Sequence, residues 1–334
     1  MFALGKKNVV INGIMISLLH RIAITAIGCI LLSGWTVCMA QHRIRTEFSF
    51  RNDNDLYLFN KQDQYYTNGI FFNFRRAADS TVLSPREVNR IWGLTIGQQM
   101  YNAYTASIRY ASEVDRPITA YLFAAAHLDR YFEREQSLSL SAEVGTIGKR
   151  ALGQQLQEGV HRAFRLYDIN GWQYQLENAW GVDLAARYAR LLYRYPARWF
   201  DLSAQATATL GLNHTGVSVA PSLRIGRINP LHRSAYTGSR LQARGNSPAN
   251  ELFLYYRPQL HLVGYDATLQ GGMFRRDKGP VTHTPARLVW YHQVGVMYAR
   301  RALSLHFNYI SCSKEVPEMF FRHRYGSVGV GVRF

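Results

Sequence analysis

The stretch 48–74, FSFRNDNDLYLFNKQDQYYTNGIFFNF, places a tight cluster of Asn and Asp between two alternating apolar segments. Alternation with period two is the pattern of strands with one apolar face, and the polar cluster marks where one strand hands over to the next. Carboxylates at a strand end are candidates for a site, although Asn and Asp also form turns by bonding their own backbone.

The same rhythm recurs along the chain. Leu138, Leu140, Ala142 and Val144 interleave with Ser137, Ser139, Ser141 and Glu143, and Leu202, Ala204, Ala206, Ala208 and Leu210 interleave with Ser203, Gln205, Thr207 and Thr209. Near the end, Leu303, Leu305, Phe307 and Tyr309 alternate with Ser304, His306 and Asn308, and Val328, Val330, Val332 and Phe334 with Ser327, Gly329, Gly331 and Arg333. A soluble β-sandwich also alternates, but its inner face must be dry. Here the second row is Ser, Gln, Thr, Arg and His, which suits a wet interior with the apolar row turned to lipid. Ending on Phe334 is also similar to bacterial outer-membrane barrels. Beyond residue 40 no apolar run is long enough for a spanning helix.

These observations predict an all-β fold: a twelve-stranded antiparallel transmembrane β-barrel with a short helical segment in an extracellular loop. Strands are expected near 44–53, 66–76, 91–101, 118–130, 135–146, 175–190, 200–212, 217–227, 251–264, 284–299, 302–313 and 324–334. Residues 41–334 form one domain, with no repeat beyond the hairpin rhythm, and 228–250, basic and containing Pro and Gly, read as a long turn. A monomer is the economical expectation.

The first forty residues read as a secretory signal peptide. Lys6, Lys7 and Arg21 precede the apolar run Ile22–Trp35, and Cys38-Met39-Ala40 offers small residues for cleavage before Gln41. Initiation at Met15 would give a shorter leader, and an uncleaved anchor is the alternative. Loss of 1–40 removes three basic residues and no acidic ones, so the formal charge falls from +17 to +14. Cys312 is then the only cysteine, which leaves no disulfide framework and no cysteine-based metal site. A basic exported protein seeks anionic surfaces. Outside the cytoplasm these are phosphorylated lipid head groups, not nucleic acid.

With both termini in the periplasm, the connections after odd-numbered strands face outward. Asn52–Asp55, Asp63–Thr67, Gln154–Asp168 and Leu269–Gly272 then gather at the extracellular end. Within 154–168, Leu156, Val160, Ala163 and Phe164 form a helical stripe able to pack on barrel or lipid, while Gln157 and His161 share a neighbouring face. A lone loop histidine is ordinarily a plain surface residue. Acidic groups on the same rim make this one a candidate general base.

The segments NDND (52–55), DQYYTNG (63–69), DRP (115–117), QLQEGVHR (155–162) and GWQYQLENAWG (171–181) resemble, in order and rough spacing, the outer-membrane lipid A 3'-O-deacylase family, LpxR-type. The resemblance spans nearly all of 41–334. It implies a calcium-dependent ester hydrolase in the outer membrane of a Gram-negative bacterium, which removes the 3'-linked acyloxyacyl group from the lipid A of lipopolysaccharide. His161 matches the family's catalytic histidine, Gln157 its helical companion and Thr67 its hydroxyl residue. Asn54-Asp55 is the favoured Asn-Asp pair because Leu56 follows; Asn52-Asp53 is the alternative register. Two departures stand out: residues 102–112 offer Arg109 where the family has a lysine, and the acidic position after the histidine is displaced, with Tyr167 preceding Asp168.

On this reading His161 takes a proton from water, and Asp55 (or Asp53) with neighbouring oxygens holds Ca²⁺ against the ester carbonyl. Asn54 and Thr67 orient water or the developing oxyanion. Calcium suits hard oxygen ligands with a single histidine nearby better than zinc does. Arg109, Arg162 and Arg165 are candidates for gripping lipid phosphates. No G-x-S-x-G string is present. The competing readings are another outer-membrane lipid esterase or phospholipase, or a porin or small-solute channel whose polar lumen needs no catalysis.

Overall fold

The computed structural model describes residues 44–58, 63–165, 167–242 and 248–334. The expected signal peptide, 1–40, lies outside them. Twelve antiparallel strands close into one barrel in which each pairs with its sequence neighbours and β1 closes on β12. They are β1 (Thr46–Asn54), β2 (Tyr66–Ala77), β3 (Glu87–Tyr101), β4 (Thr119–Phe132), β5 (Gln136–Ile147), β6 (Ala179–Arg194), β7 (Phe200–Gly211), β8 (His214–Arg227), β9 (Glu251–Asp266), β10 (Leu288–Arg300), β11 (Leu303–Cys312) and β12 (His323–Arg333). The closing pair runs from Glu47 opposite Arg333 to Asn54 opposite Gly326. Closure leaves no strand edge with unpaired backbone, which is what allows a sheet to cross lipid. No helix among the described residues is long and apolar enough to do so.

The pleat sorts side chains as the alternation predicts. Phe48, Phe72, Leu140, Val144 and Phe307 are exposed on the outside, while Ser139, Ser141, Ser304, His306 and Asn308 line the interior. That interior is a polar cavity of about 740 Å³. Several charges in or beside it are paired: Glu47 accepts from Arg75 and, at 2.9 Å, from Arg333, and Arg224 meets Asp201 at 2.6 and 2.9 Å. Pairing offsets the several kcal/mol that a lone buried ion costs.

Several strand boundaries shift, among them the starts of β3, which begins at Glu87 rather than 91, and of three later strands. β6 begins at Ala179 rather than 175 because Gly171–Tyr174 first forms a 3₁₀ turn and the Gln175 amide closes it onto the Trp172 carbonyl. β8 begins at His214, since only Leu212 and Asn213 separate it from β7. β10 begins at Leu288, past Pro285, whose missing N–H suits a loop better than a ladder.

The two ends differ. Short turns link β4 to β5, β6 to β7 and β10 to β11 at the end carrying the termini, whereas long connections after β1, β3, β5, β9 and β11 crowd the other end. The exception is 228–250, at the termini end. Instead of a free turn, its described part folds into the barrel mouth: Thr237 accepts from the Tyr131 hydroxyl at 2.7 Å, Gly238 from Arg75 at 3.1 Å and Leu241 from the Asn89 amide at 2.5 Å, all through backbone carbonyls. Gly238 has φ +69° and lies so close to the Arg75 guanidinium that no side chain fits there. At the opposite end, loops pack on one another. Asp115 accepts from the Tyr65 hydroxyl and from the amides of Tyr104 and Phe320, and the buried Arg116 spans Glu315 and Thr268.

Candidate active site

Helix α1 (Gly153–Phe164) stands in the connection between β5 and β6. Its N-terminal turn is pressed against the barrel wall, and a Cβ at Gly153 would collide with Ala120 and lie 2.7 Å from the Trp172 ring. Leu156 packs beside Trp172 in the loop core, while Val160 and Ala163 are exposed. The apolar stripe is therefore split. The buried face instead presents Gln157 and His161, one turn apart, toward the connection after β1.

What they meet there is Asp63. Its Oδ2 lies 2.9 Å from His161 Nε2 and accepts from Gln157 Nε2 at 2.8 Å. Its Oδ1 accepts from the Thr67 hydroxyl at 3.1 Å. Behind this group, Trp172 Nε1 donates to Gln157 Oε1 at 2.8 Å, which fixes the amide so that its NH₂ faces the carboxylate. Tyr167 closes the circuit: its carbonyl lies 2.8 Å from His161 Nδ1, and its hydroxyl accepts from the Asp63 amide at 3.0 Å. Residues almost a hundred positions apart thus converge through one carboxylate.

Both nitrogens of His161 face oxygen acceptors, an arrangement satisfied in full only by the doubly protonated ring. Burial lowers the His161 pKa, but the hydrogen bonds to Asp63 and to the Tyr167 carbonyl, with the Asp63 charge, outweigh it and leave it raised. Burial likewise raises that of Asp63, and its bonds to His161, Tyr167 and Gln157 outweigh this and hold it below the ordinary value.

Asp55 sits next to this group. It is 2% exposed, accepts from the Gln64 amide at 2.9 Å and makes no ion pair among the described residues. Burial first and the Asp63 charge second push its pKa well up. A buried carboxyl that feels the charge of a second carboxylate supplies hard oxygen donors of the kind calcium takes.

The other expected members lie elsewhere. No hydrogen bond or ion pair among the described residues joins His161 to Asn54-Asp55 or to Asn52-Asp53. Asn54 Oδ1 accepts from the Leu56 amide at 2.8 Å in a local turn. Asn52 Nδ2 donates to the Gly69 carbonyl at 2.9 Å, and Asn52 Oδ1 accepts from Tyr57 at 2.6 Å. Asp53 points into the lumen, where Tyr66 donates to it at 2.9 Å. Strand parity explains the separation, because neighbours on β1 face opposite sides of the wall. Arg109, Arg162 and Arg165 are exposed at the same end. The sequence reading left Asp63 without a role. Its signals were its place on the extracellular rim and at the head of the DQYYTNG segment, but no periodicity aims it at the histidine.

A second polar group, Glu143, Asp183 and His214, lies inside the barrel with potential ligand atoms within 4.8 Å of one another. Its carboxylates already have protein donors: Tyr121 bonds Glu143, and His214 Nδ1 is 3.0 Å from Asp183.

The sequence model of the family described as "Outer membrane protein LpxR" matches residues 24–334. A search of curated proteins gave no significant match. Among solved structures, LpxR from Salmonella typhimurium superposes with a TM-score of 0.67 at 16% identity, over 86% of this chain and 100% of that one. The β domain of the Bordetella autotransporter BrkA reaches 0.48 at 11% identity, over 87% and 100%. The translocator domain of NalP from Neisseria meningitidis reaches 0.40 at 12%, over 95% and 97%.

Proposed function

The chain belongs to the LpxR family of outer membrane proteins, and on that premise we propose that it is a calcium-dependent lipid A 3'-O-deacylase working at the extracellular rim of the barrel. The observation that carries the reading is the convergence of His161, Gln157 and Thr67 on Asp63. Hydrolysis of an ester needs a base for water, an orienting group for that base and a stabiliser for the oxyanion.

The Tyr167 carbonyl holds the proton on Nδ1, which directs the lone pair of the neutral ring to Nε2. Water entering between Nε2 and Asp63 gives its proton to Nε2 as its oxygen bonds the ester carbonyl carbon. Asp63 stabilises the imidazolium so formed. Collapse of the tetrahedral centre breaks the bond to the 3'-oxygen of the sugar, and that alkoxide takes the proton back from Nε2. The products are a free acyloxyacyl carboxylic acid and a 3'-hydroxyl. Thr67, whose hydroxyl donates to the same carboxylate, holds Asp63 in place for this role. Asp55 and nearby oxygens would hold the calcium ion, which when bound would supply electrostatic polarisation of the carbonyl. Asn54 and the alternative ligands Asn52 and Asp53 have weaker support, because their contacts lie elsewhere. Arg109, Arg162 and Arg165 stand where lipid phosphates would approach.

The porin reading is disfavoured by the segment bonded into the terminal mouth and by the loops knit over the other end. Mass spectrometry of lipid A from membranes with and without the protein tests the proposal. Loss of one acyloxyacyl unit, dependent on calcium and absent in His161→Ala, is expected; unchanged lipid A would overturn it.

A further inference from the structure

On the outside of the barrel, at the same end as His161, the segment after β9 leans over the ends of β5, β6 and β7. It forms a groove of about 360 Å³ with Thr146, Arg150, Asn178, Trp180 and Leu212 on one side and Phe274 and Arg275 on the other. The walls are unusual for a loop rim. Trp180 is 70% exposed and Phe274 82%, so two large apolar side chains flank one opening. The same lining includes two exposed arginines, Arg150 and Arg275, and no carboxylate.

Those guanidinium groups contrast with several arginines that are buried or half-buried. Arg116, Arg194, Arg224, Arg240 and Arg333 are each in an ion pair, whereas neither Arg150 nor Arg275 is in one among the described residues. The backbone nevertheless places them deliberately. The Arg150 amide donates to the Asn178 side chain at 2.8 Å, and the Arg275 amide donates to the Gly272 carbonyl at 3.1 Å. A fork of N–H donors beside an open apolar wall is complementary to a molecule with a phosphate at one end and hydrocarbon at the other. At the level where strands meet loops, the surrounding bilayer supplies such molecules.

We propose that this groove is a second, non-catalytic lipid site, which takes a phosphate of an outer-leaflet glycolipid on Arg150 and Arg275 and an acyl chain on Trp180 and Phe274. The identity of the lipid rests on the lipid A reading above; the charge and shape of the groove do not. Holding one substrate molecule beside the helix that bears His161 would keep the rim supplied and fix its orientation to the leaflet.

Native mass spectrometry of the full chain in detergent, titrated with bisphosphorylated lipid A, dephosphorylated lipid A and phosphatidylglycerol, tests this. The wild-type protein should bind two equivalents of bisphosphorylated lipid A. In the double variant Arg150→Gln/Arg275→Gln the second equivalent should weaken at least tenfold while saturated turnover stays the same, and Phe274→Ser should weaken it in the same direction. Both variants change exposed side chains, and heat-modifiable migration on gels reports whether the barrel has folded. Two equivalents retained in the Arg variant, or phosphatidylglycerol competing as well as lipid A, would overturn the proposal. Absence of acyl release by the wild-type protein would sink the deacylase reading instead, and the count of bound lipids distinguishes the two failures.

Discussion

At His161 the geometry itself sets the pH behaviour. The ring must be neutral at Nε2 to accept a proton, yet Asp63 and the Tyr167 carbonyl raise its pKa. Activity should therefore climb with pH through a value above the ordinary histidine range, which lies near 6.5. Asp63→Asn removes the charge and replaces one acceptor oxygen by an NH₂ donor, so the acid limb should move to lower pH while the plateau drops; a pH profile of kcat/KM checks this, and an unmoved limb would contradict the pairing. The link between the two residues is at full strength above the lowered pKa of Asp63 and below the raised pKa of His161, and weakens outside that window. His161→Ala should cost about 10²–10⁴-fold in rate, the usual worth of a positioned general base. Asp55→Asn should weaken calcium activation, measured as the calcium concentration at half-maximal activity. Helical spacing identified Gln157 and His161 in the sequence, because four residues make one turn. Asp63 was not legible, since nothing local says which of several acidic residues in 52–63 a loop will bring to a histidine far along the chain.

Elements show the same division between local pattern and distant contact. All twelve strands could be read from alternation, because each must present one face to lipid and the other to water. Their ends could not, as at β6, where the hydrogen bond from the Gln175 amide to Trp172 delays the ladder. For α1 the apolar stripe signalled a helix, yet the face that docks is the polar one, anchored by Trp172 and the close approach at Gly153. Gly153→Val should therefore tilt α1 away from the wall, at a cost of about 1–3 kcal/mol for overpacking. The expected outcome is loss of acyl release in a barrel that still shows heat-modifiable migration. Trp172→Phe keeps the bulk but leaves Gln157 Oε1 without its donor, a loss of about 1–3 kcal/mol where that oxygen is buried. Its effect should appear in kcat more than in barrel stability. Residues 228–250 read as a long turn from their Pro, Gly and basic residues, and the anchors of their described part lie on β2, β3 and β4, out of reach of any local pattern.

For the whole molecule, the segment bonded across the terminal mouth predicts an electrically silent barrel. In planar bilayers the wild-type protein should show no steady conductance, and deletion of 229–242 should open one; conductance in the intact chain would restore the channel reading. The same segment has a mechanical consequence. It leaves the wall between β8 and β9, where Arg224 holds Ser234 at 2.9 Å and Arg240 holds Glu251 at 3.2 Å, and it bonds to β2, β3 and β4 across the mouth. A hollow cylinder under lateral pressure from its bilayer yields first by flattening into an ellipse, and a strut across the diameter resists that mode. β2 is joined to the connection that carries Asp63, and β4 leads through β5 into the connection that carries His161. A brace at one mouth would therefore keep circular the wall that holds the two proposed catalytic partners in register at the other.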